Sequence, residues 1–283
     1  MVQTMAKRSR RQQALASLDR LPPFSPVLDR LLATIASEDV SFAEIGLLVE
    51  NDTVLAANVL RLVNSALYGF QGTVNSVRHG LAILGVTRLR NLALSLSMAR
   101  LWTGRAASGW SPAAFNTHSV ACGILADLLA QETDVPYPEG AFVAGLLHDI
   151  GKMLLATSVP AEYAEIERLM AAQNRSVEEC EFDVIGTTHS ELSGLALRKW
   201  NVPQPIARAA AFHHRHEEAG APPQLAETIW RADRLAAFAG DASPSYFEDP
   251  EDRSCLERET SEPRMHRLLD IFALEFGVLK AFL

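Results

Sequence analysis

Seven histidine and aspartate side chains, placed at five points along the chain, are of the types that bind divalent metal ions. They are His118, His148, Asp149, His189, His213, His214 and Asp233. Imidazole nitrogen and carboxylate oxygen without thiolate favour iron, manganese, zinc, nickel or magnesium over a cysteine-type structural zinc site. The set therefore predicts a buried centre for one or two divalent ions.

The strongest indication is the segment Gly145-Leu-Leu-His-Asp-Ile-Gly-Lys152, which sets a histidine and a carboxylate side by side in a predicted apolar helix. A charged aspartate buried there needs a cation. Because adjacent helical residues point about 100° apart, His148 and Asp149 cannot hold one ion as two parallel arms. Asp149 has two oxygens, however, and is the candidate bridge between two ions.

Each histidine of the set, taken alone, has an ordinary alternative as a core residue bonded to a backbone carbonyl. It is the joint occurrence of the set that favours a metal. The remaining histidines, His79, His216 and His266, fall outside the set, and we interpret them as ordinary polar residues.

Length and composition indicate a globular protein. The 283 residues suffice for one large domain or two modest ones, with 48% hydrophobic and 21% charged residues. A net charge of −8 and a pI of about 5.5 argue against nucleic acid as a partner. The short run Lys7-Arg8-Ser9-Arg10-Arg11 could touch an anionic partner, but such runs are more often frayed termini, and residues 1–20 are expected to form a basic tail.

The three cysteines, Cys122, Cys180 and Cys255, are scattered and show no paired spacing. A disulfide framework is not expected, and a reducing cytoplasm fits. We find no apolar run of the roughly 18 residues that a membrane span requires, and no signal-peptide core. The sequence predicts a cytoplasmic protein without a membrane partner.

Helical spacing of apolar residues predicts an all-α fold, in which a five-helix N-terminal subdomain packs on a second helical bundle. The subdomain is expected at residues 21–104. A second half at residues 110–240 carries the metal set, with helices expected around 139–156, 161–173, 177–186, 188–200, 204–217 and 224–239.

Residues 241–283 begin as an acidic, loop-like stretch and become apolar from Met265 onwards. We interpret the apolar end piece as a helix that closes the core. A docking surface for a partner or a second copy is the alternative.

Several segments resemble the HDOD family, the HD-related output domains of bacterial signalling proteins. Those similar to its N-terminal half are Leu21-Pro-Pro-Phe-Ser-Pro-Val27, Val49-Glu-Asn-Asp-Thr-Val-Leu55, Leu62-Val-Asn-Ser-Ala-Leu-Tyr-Gly69 and Ala82-Ile-Leu-Gly-Val-Thr-Arg-Leu-Arg90. Those similar to its HD-like half are the Gly145–Lys152 segment, Ile185-Gly-Thr-Thr-His-Ser-Glu-Leu192 and Lys199-Trp-Asn-Val-Pro203. The resemblance covers about residues 18–240, and the order of the motifs carries it.

The resemblance implies a relation to the HD phosphohydrolases, including the HD-GYP phosphodiesterases that cleave cyclic di-GMP. Family members are generally regarded as regulatory, because many have lost metal ligands. Here the seven residues match the ligand positions, and Lys152 matches the lysine one turn after the His-Asp doublet. The Gly-Tyr-Pro signature is missing from Arg215-His-Glu-Glu-Ala-Gly-Ala-Pro222, and Ala114 stands where three-metal members have glutamate, so two ions are the upper bound.

An enzyme of this kind would clamp a phosphoester between two ions about 3.5–4 Å apart. One ion would be held by His118, His148, Asp149 and Asp233, and the other by Asp149, His189, His213 and His214. Asp149 would then be catalytic as the bridge. Lys152 would be catalytic by presenting its charge to a phosphate oxygen of a nucleotide or phosphodiester, and its alternative is a surface pair with a carboxylate.

Regulation is the favoured function, and metal-dependent phosphohydrolysis is the alternative. The N-terminal helices offer no catalytic geometry, so we interpret them as a platform for contacts with a signalling protein.

Overall fold

The structure of the chain is a computed structural model that describes residues 2–34, 42–64, 73–100, 107, 110–173, 175–219, 224–238 and 256–280. These residues form α-helices and short 3₁₀ turns without strands, which confirms the all-α fold. The chain divides into two compact units. One comprises Met1–Pro22 with Thr103–Leu269, and the other comprises Pro23–Trp102 with Asp270–Leu283.

The first unit contains helix α1 and the helices between residues 110 and 238. Their bounds are α1 Val2–Ala16, α7 Pro112–Glu132, α8 Ala141–Leu147, α9 Ile150–Ser158, α10 Pro160–Gln173, α11 Val177–Val184, α12 His189–Lys199, α13 Gln204–Phe212 and α14 Gln224–Phe238. Helix α7 packs along α8 and α14, while α12 packs on α9 and α13. The helix predicted at 139–156 is interrupted at residues 148–149 and continues as α9 to Ser158, and the helix predicted at 204–217 ends early, at Phe212.

The second unit contains α2 Pro26–Ala33, α3 Phe42–Glu50, α4 Thr53–Val63, α5 Val77–Leu84 and α6 Val86–Ala99. Side-chain caps begin several of these helices: Ser25 accepts from Leu28 N, and Asp52 accepts from Leu55 N. Asn64, at the end of α4, donates to Val74 O and accepts from Val74 N at 2.8 and 2.7 Å. Its side chain therefore joins the chain on either side of a segment outside the described residues.

Residues 1–20, expected as a basic tail, contain a helix in the structure. Helix α1 is fixed by its polar side chains: Gln13 Nε2 donates to Ser158 O at 2.7 Å, and Arg10 pairs with Glu162 at 3.2 Å. Arg11 pairs with Glu191 at 3.0 Å. The basic run thus faces carboxylates of its own unit, which the sequence pattern did not indicate.

The apolar end piece is helix α15, Pro263–Lys280. Its buried face carries Met265, Leu268, Phe272, Phe276 and Leu279, whereas Ile271 and Leu274 are exposed. One apolar face is buried and a second is exposed to solvent, and closure of the core stays a prediction. The boundary expected at residue 104 and the acidic stretch at 241–255 lie outside the described residues.

Helix α7 corrects the expectation that no apolar segment reaches span length. It has 21 residues, and an 18-residue stretch within it has a mean hydropathy of 1.2. By length and composition alone, this helix could cross a membrane. Two bent pairs of helices are long and apolar enough for a membrane span only if each pair is counted as one span. They are Val77–Leu84 with Val86–Ala99, and Pro138–Ser158 with Pro160–Ala172. In α7, 61% of the 18-residue stretch is buried within the protein, so its apolar side chains are accounted for by packing.

The approach of α9 to α12 depends on Gly151, whose backbone N donates to Ser193 Oγ at 2.9 Å. A Cβ at this position would lie 1.9 Å from His189 O. We therefore expect Gly151→Ala to lower the free energy of unfolding by about 1–3 kcal/mol, because the helices must separate. Urea unfolding followed by circular dichroism measures this.

The matched control is Gly277→Ala in α15, where nothing lies within 4 Å of the added Cβ. Alanine is the better helix former, so this change should be neutral or stabilise by up to about 1 kcal/mol. Equal destabilisation by both variants would show that the close approach at Gly151 is not what matters.

Candidate metal centre

The His148-Asp149 doublet lies at a helix junction rather than inside one helix. Helix α8 ends at Leu147 and α9 begins at Ile150, with Asp149 at φ −100° and ψ 10° between them. Both side chains are buried, at 0% and 1% exposure. The helical spacing assumed from the sequence therefore does not apply, and the break directs both groups into the interior of the unit.

Ligand candidates from four further segments meet this junction. His118 comes from α7, His189 begins α12, His213 follows the last residue of α13, and Asp233 lies on α14. The Asp149 Oδ2 atom is 3.3 Å from His148 Nε2 and 3.6 Å from His118 Nε2. Its Oδ1 atom is 3.3 Å from His189 Nε2 and 3.6 Å from His213 Nε2. The two oxygens thus face two different histidine pairs, which is the placement that a bridging carboxylate needs.

Hydrogen bonds fix the direction of three of the imidazole rings. His148 Nδ1 lies 2.7 Å from Gly145 O, and His213 Nδ1 lies 2.8 Å from Ala210 O. A carbonyl only accepts, so each Nδ1 donates. His189 Nδ1 lies 2.8 Å from the buried carboxylate of Glu181. In each ring Nε2 is left to point at the centre, as in metal sites whose second nitrogen is held by an outer acceptor.

The donor set fits a divalent ion. The Nε2 atom of His148 is buried and has no hydrogen-bond partner among the described residues. Ligand atoms of His148, Asp149 and His213 lie within 4.8 Å of one another, as do those of His189, His213 and His214. Close, buried nitrogen and oxygen donors that converge in this way are costly unless a cation satisfies them.

The family model for the HDOD domain matches residues 21–216, well over half of the chain. The chain belongs to the HDOD family. This chain is 24% identical over 201 residues to an uncharacterized protein of Treponema pallidum. The match covers 70% of this chain but only 38% of that relative. The chain thus spans well under half of that relative's length.

Two solved structures share the HDOD fold at low sequence identity. A candidate phosphohydrolase from Shewanella amazonensis is 23% identical with a TM-score of 0.73, over 95% of this chain and 97% of that one. A candidate signal-transduction protein from Marinobacter aquaeolei is 20% identical with a TM-score of 0.73, over 96% of this chain and 66% of that one. At these identities the likeness shows the fold alone.

His214 lies at the edge of the HDOD centre. Its Nε2 atom is 3.0 Å from His189 Nε2, and the residue is only partly buried. Burial and the neighbouring charge of His213 hold the pKa of His214 well below its ordinary value. A neutral imidazole is the form that binds a metal, so His214 is suited to the ion on the His189 side.

Lys152 is buried, contrary to its alternative interpretation as a surface residue. Its Nζ atom donates to Asp149 Oδ2 at 2.7 Å. Burial alone would lower the pKa of Lys152, but the carboxylates of Asp149 and Asp233 outweigh it and raise the pKa. The lysine therefore stays charged and neutralises part of the carboxylate that was expected to bind metal.

The carboxylates dominate the electrostatics of the centre. Burial raises the pKa of Asp149, yet the positive charges of His148 and Lys152 outweigh it and hold that pKa well below the ordinary value. Burial likewise lowers the pKa of His148, while Asp149 and Asp233 raise it to about 10. A proton on His148 and a metal ion therefore compete for the same pair of carboxylates.

Sequence reasoning missed two residues of this centre. Cys122 lies beside the ligands, with its Sγ 3.4 Å from His118 Nε2. Its position four residues after His118 on one helix was the available signal. Glu181 is fully buried and binds both the backbone N and Nδ1 of His189. No sequence spacing links Glu181 to His189, because Glu181 lies on a different helix, α11.

We expect Glu181→Gln to weaken metal binding by about 10–100-fold, because the amide no longer provides the charged acceptor that orients His189. A competition titration against a chromogenic chelator measures the affinity. Asp183→Asn, an exposed change on the same helix whose carboxylate pairs with Arg175, is the control and should leave it unaltered. Equal metal affinities for the wild type and Glu181→Gln would show that Glu181 has no role in metal binding.

Proposed function

We propose that this chain is a signalling HDOD protein whose buried metal centre ties the HD-like helices together, with output through protein contacts. The observation that carries this proposal is the convergence of buried donors from five chain segments, of which His118, His148, His189 and His213 surround Asp149. His148, His189 and His213 are all 0% exposed. Two ions enclosed on either side of Asp149 would together cross-link helices α7, α9, α12, α13 and α14, so metal binding is linked to the stability of the unit.

One or two divalent ions fit, from among iron, manganese, zinc, nickel and magnesium. We assign His118, His148 and Asp233 to one ion and His189, His213 and His214 to the other, with Asp149 between them. Asp233 Oδ1 is 3.0 Å from His118 Nε2 and 3.6 Å from His148 Nε2, which supports the first group.

The protein contacts are assigned to the second unit. Most of the large apolar side chains exposed in the described residues belong to it: Leu47, Val54, Ile271 and Leu274, with exposures of 43–59%. Exposed apolar side chains of this size are common features of protein interfaces. The partner is a signalling protein in the cytoplasm, and a net charge of −8 argues against nucleic acid in its place.

Metal-dependent phosphohydrolysis is the second candidate, with a nucleotide or phosphodiester as substrate. Divalent ions supply charge stabilisation and an activated water in such reactions. The partial exposure of His214 favours this candidate, since it is the least enclosed of the proposed ligands. Lys152 argues against it, because its ammonium already pairs with Asp149 and a phosphate would have to displace that carboxylate.

The first prediction from this proposal concerns metal removal. Stripping the ion with a chelator should lower the melting temperature, because a ligand that binds only the folded state stabilises it by about 2.7 kcal/mol at 100 times its Kd. Differential scanning calorimetry with and without added Mn²⁺ or Zn²⁺ measures the shift.

His148→Ala should abolish this metal-dependent shift. His266→Ala is the control, because His266 is exposed and lies outside the centre, and it should keep the full shift. A melt that is unchanged when bound metal is verifiably removed from the wild type would contradict the proposal.

The second prediction separates contact from catalysis in a strain that lacks the gene. The double variant Leu47→Ser/Val54→Ser should lose signalling while metal content and melting temperature stay at wild-type values. Phe182→Ser removes an exposed apolar side chain of the other unit and should keep signalling.

Cyclic di-GMP turnover gives the opposing outcome. We expect none in the ordinary enzyme range, since Ala219-Gly-Ala-Pro222 replaces the Gly-Tyr-Pro signature. Turnover at about 1 per second or faster that is lost in His148→Ala, together with normal signalling by the Leu47→Ser/Val54→Ser variant, would establish the phosphohydrolase instead.

A further inference from the structure

One buried thiol stands among the histidine and aspartate donors. Cys122 lies one helical turn after His118 on α7, so both side chains project from the same face of that helix. Its Sγ is 3.4 Å from His118 Nε2 and 4.0 Å from His118 Nδ1, so it lies nearer the ring nitrogen that faces the centre. Sγ is also 3.9 Å from Asp233 Oδ1.

The 3.4 Å between Cys122 Sγ and His118 Nε2 matches an edge of a tetrahedral coordination shell, and the 3.9 Å between Sγ and Asp233 Oδ1 is somewhat longer. Zinc ligands at bond lengths of about 2.0–2.1 Å for nitrogen or oxygen and about 2.3 Å for sulfur lie roughly 3.3–3.6 Å apart. Here His118 Nε2 is 3.0 Å from Asp233 Oδ1, and His148 Nε2 is 3.6 Å from it. Donor atoms of His118, Cys122, His148 and Asp233 all lie within 4.8 Å of one another.

An independent observation points to a ligand at this place. His148 Nε2 is fully buried, has no hydrogen-bond partner among the described residues, and belongs to the same four-donor group. The Nδ1 atom of His148 donates to Gly145 O. A flip of the ring would therefore break this hydrogen bond in order to give Nε2 a partner. An ion at the centre of the four donors satisfies it.

We propose that Cys122 is a thiolate ligand of the first ion, which is bound by His118, Cys122, His148 and Asp233, while Asp149 accepts from Lys152 through Oδ2 and faces the second ion through Oδ1. This proposal deepens the function proposed above and rests on metal binding at the centre. On binding, the thiol releases its proton to solvent and the sulfur forms the fourth bond to the ion. A His₂CysAsp set selects zinc and other thiophilic ions over magnesium, which binds oxygen. The two ion positions then differ in chemistry, because the His189 side offers nitrogen and oxygen only.

The test uses Co²⁺ as the probe, because a thiolate ligand gives it an intense near-ultraviolet charge-transfer band that nitrogen and oxygen ligands do not give. The full chain carrying Cys180→Ser and Cys255→Ser keeps Cys122 as its sole cysteine. Metal-free protein of this variant is titrated with Co²⁺, and the bound metal is counted after gel filtration. We expect the band to grow to saturation with the first equivalent bound.

Adding Cys122→Ser to this variant should remove the band, while circular dichroism shows the helical fold retained. Co²⁺ bound by the sole-cysteine variant without the band would overturn the thiolate ligand and leave the metal centre standing, with Cys122 as a small buried apolar residue. Failure of the wild-type chain to bind Co²⁺ or Zn²⁺ at all would overturn the metal centre itself and the thiolate with it. Because the decisive band is measured with Cys122 present, poor folding of the Cys122→Ser variant would not hide the result.

Discussion

The buried carboxylate of Asp149 is the constraint on which the rest of the first unit depends. A charged group at 1% exposure is tolerated only when opposite charge surrounds it. Lys152 supplies one ammonium at 2.7 Å, and the histidine rings supply a place for a proton or a metal ion. Each of these groups must arrive from a different turn or helix, so the charge of one side chain dictates how the helices around it are arranged.

Two glycines beside the doublet show how backbone packing serves that arrangement. A Cβ at Gly145 would lie 2.5 Å from Cys122 O, and one at Gly151 would lie 1.9 Å from His189 O. Their absence of side chains lets α8 and α9 approach the helices that carry Cys122 and His189. The Gly145–Lys152 motif therefore encodes helix packing as well as chemistry, because these two close contacts bring the helices that carry His118 and His189 next to the doublet.

The sequence was informative wherever a residue type has few reasons to be buried. A histidine or aspartate within an apolar helix is conspicuous in the sequence, and the candidates from His118 to Asp233 do lie close together in the first unit. It was less informative where the chemistry of a residue is ambiguous. Cysteine is a common core residue, and Glu181 looks like one surface glutamate among many. Apolar periodicity runs through the helix break at residues 148–149 without a proline to mark it, and Asp149 at the N-cap of α9 makes no capping hydrogen bond. The charged face of α1 was missed because its partners, Glu162 and Glu191, are distant in sequence.

The placement of the donors also bears on whether such a centre signals or catalyses. A hydrolytic site needs an open coordination position and a route for the substrate, whereas most donors here are enclosed and Asp149 is already engaged by Lys152. An enclosed ion contributes chiefly by joining the segments that bind it. In the proposed function, its gain or loss would change the stability of α7, α9, α12, α13 and α14 together, a cooperative change of the kind that a partner protein could detect. Enclosure of the donors is therefore the feature that supports the proposed metal-dependent response over hydrolysis.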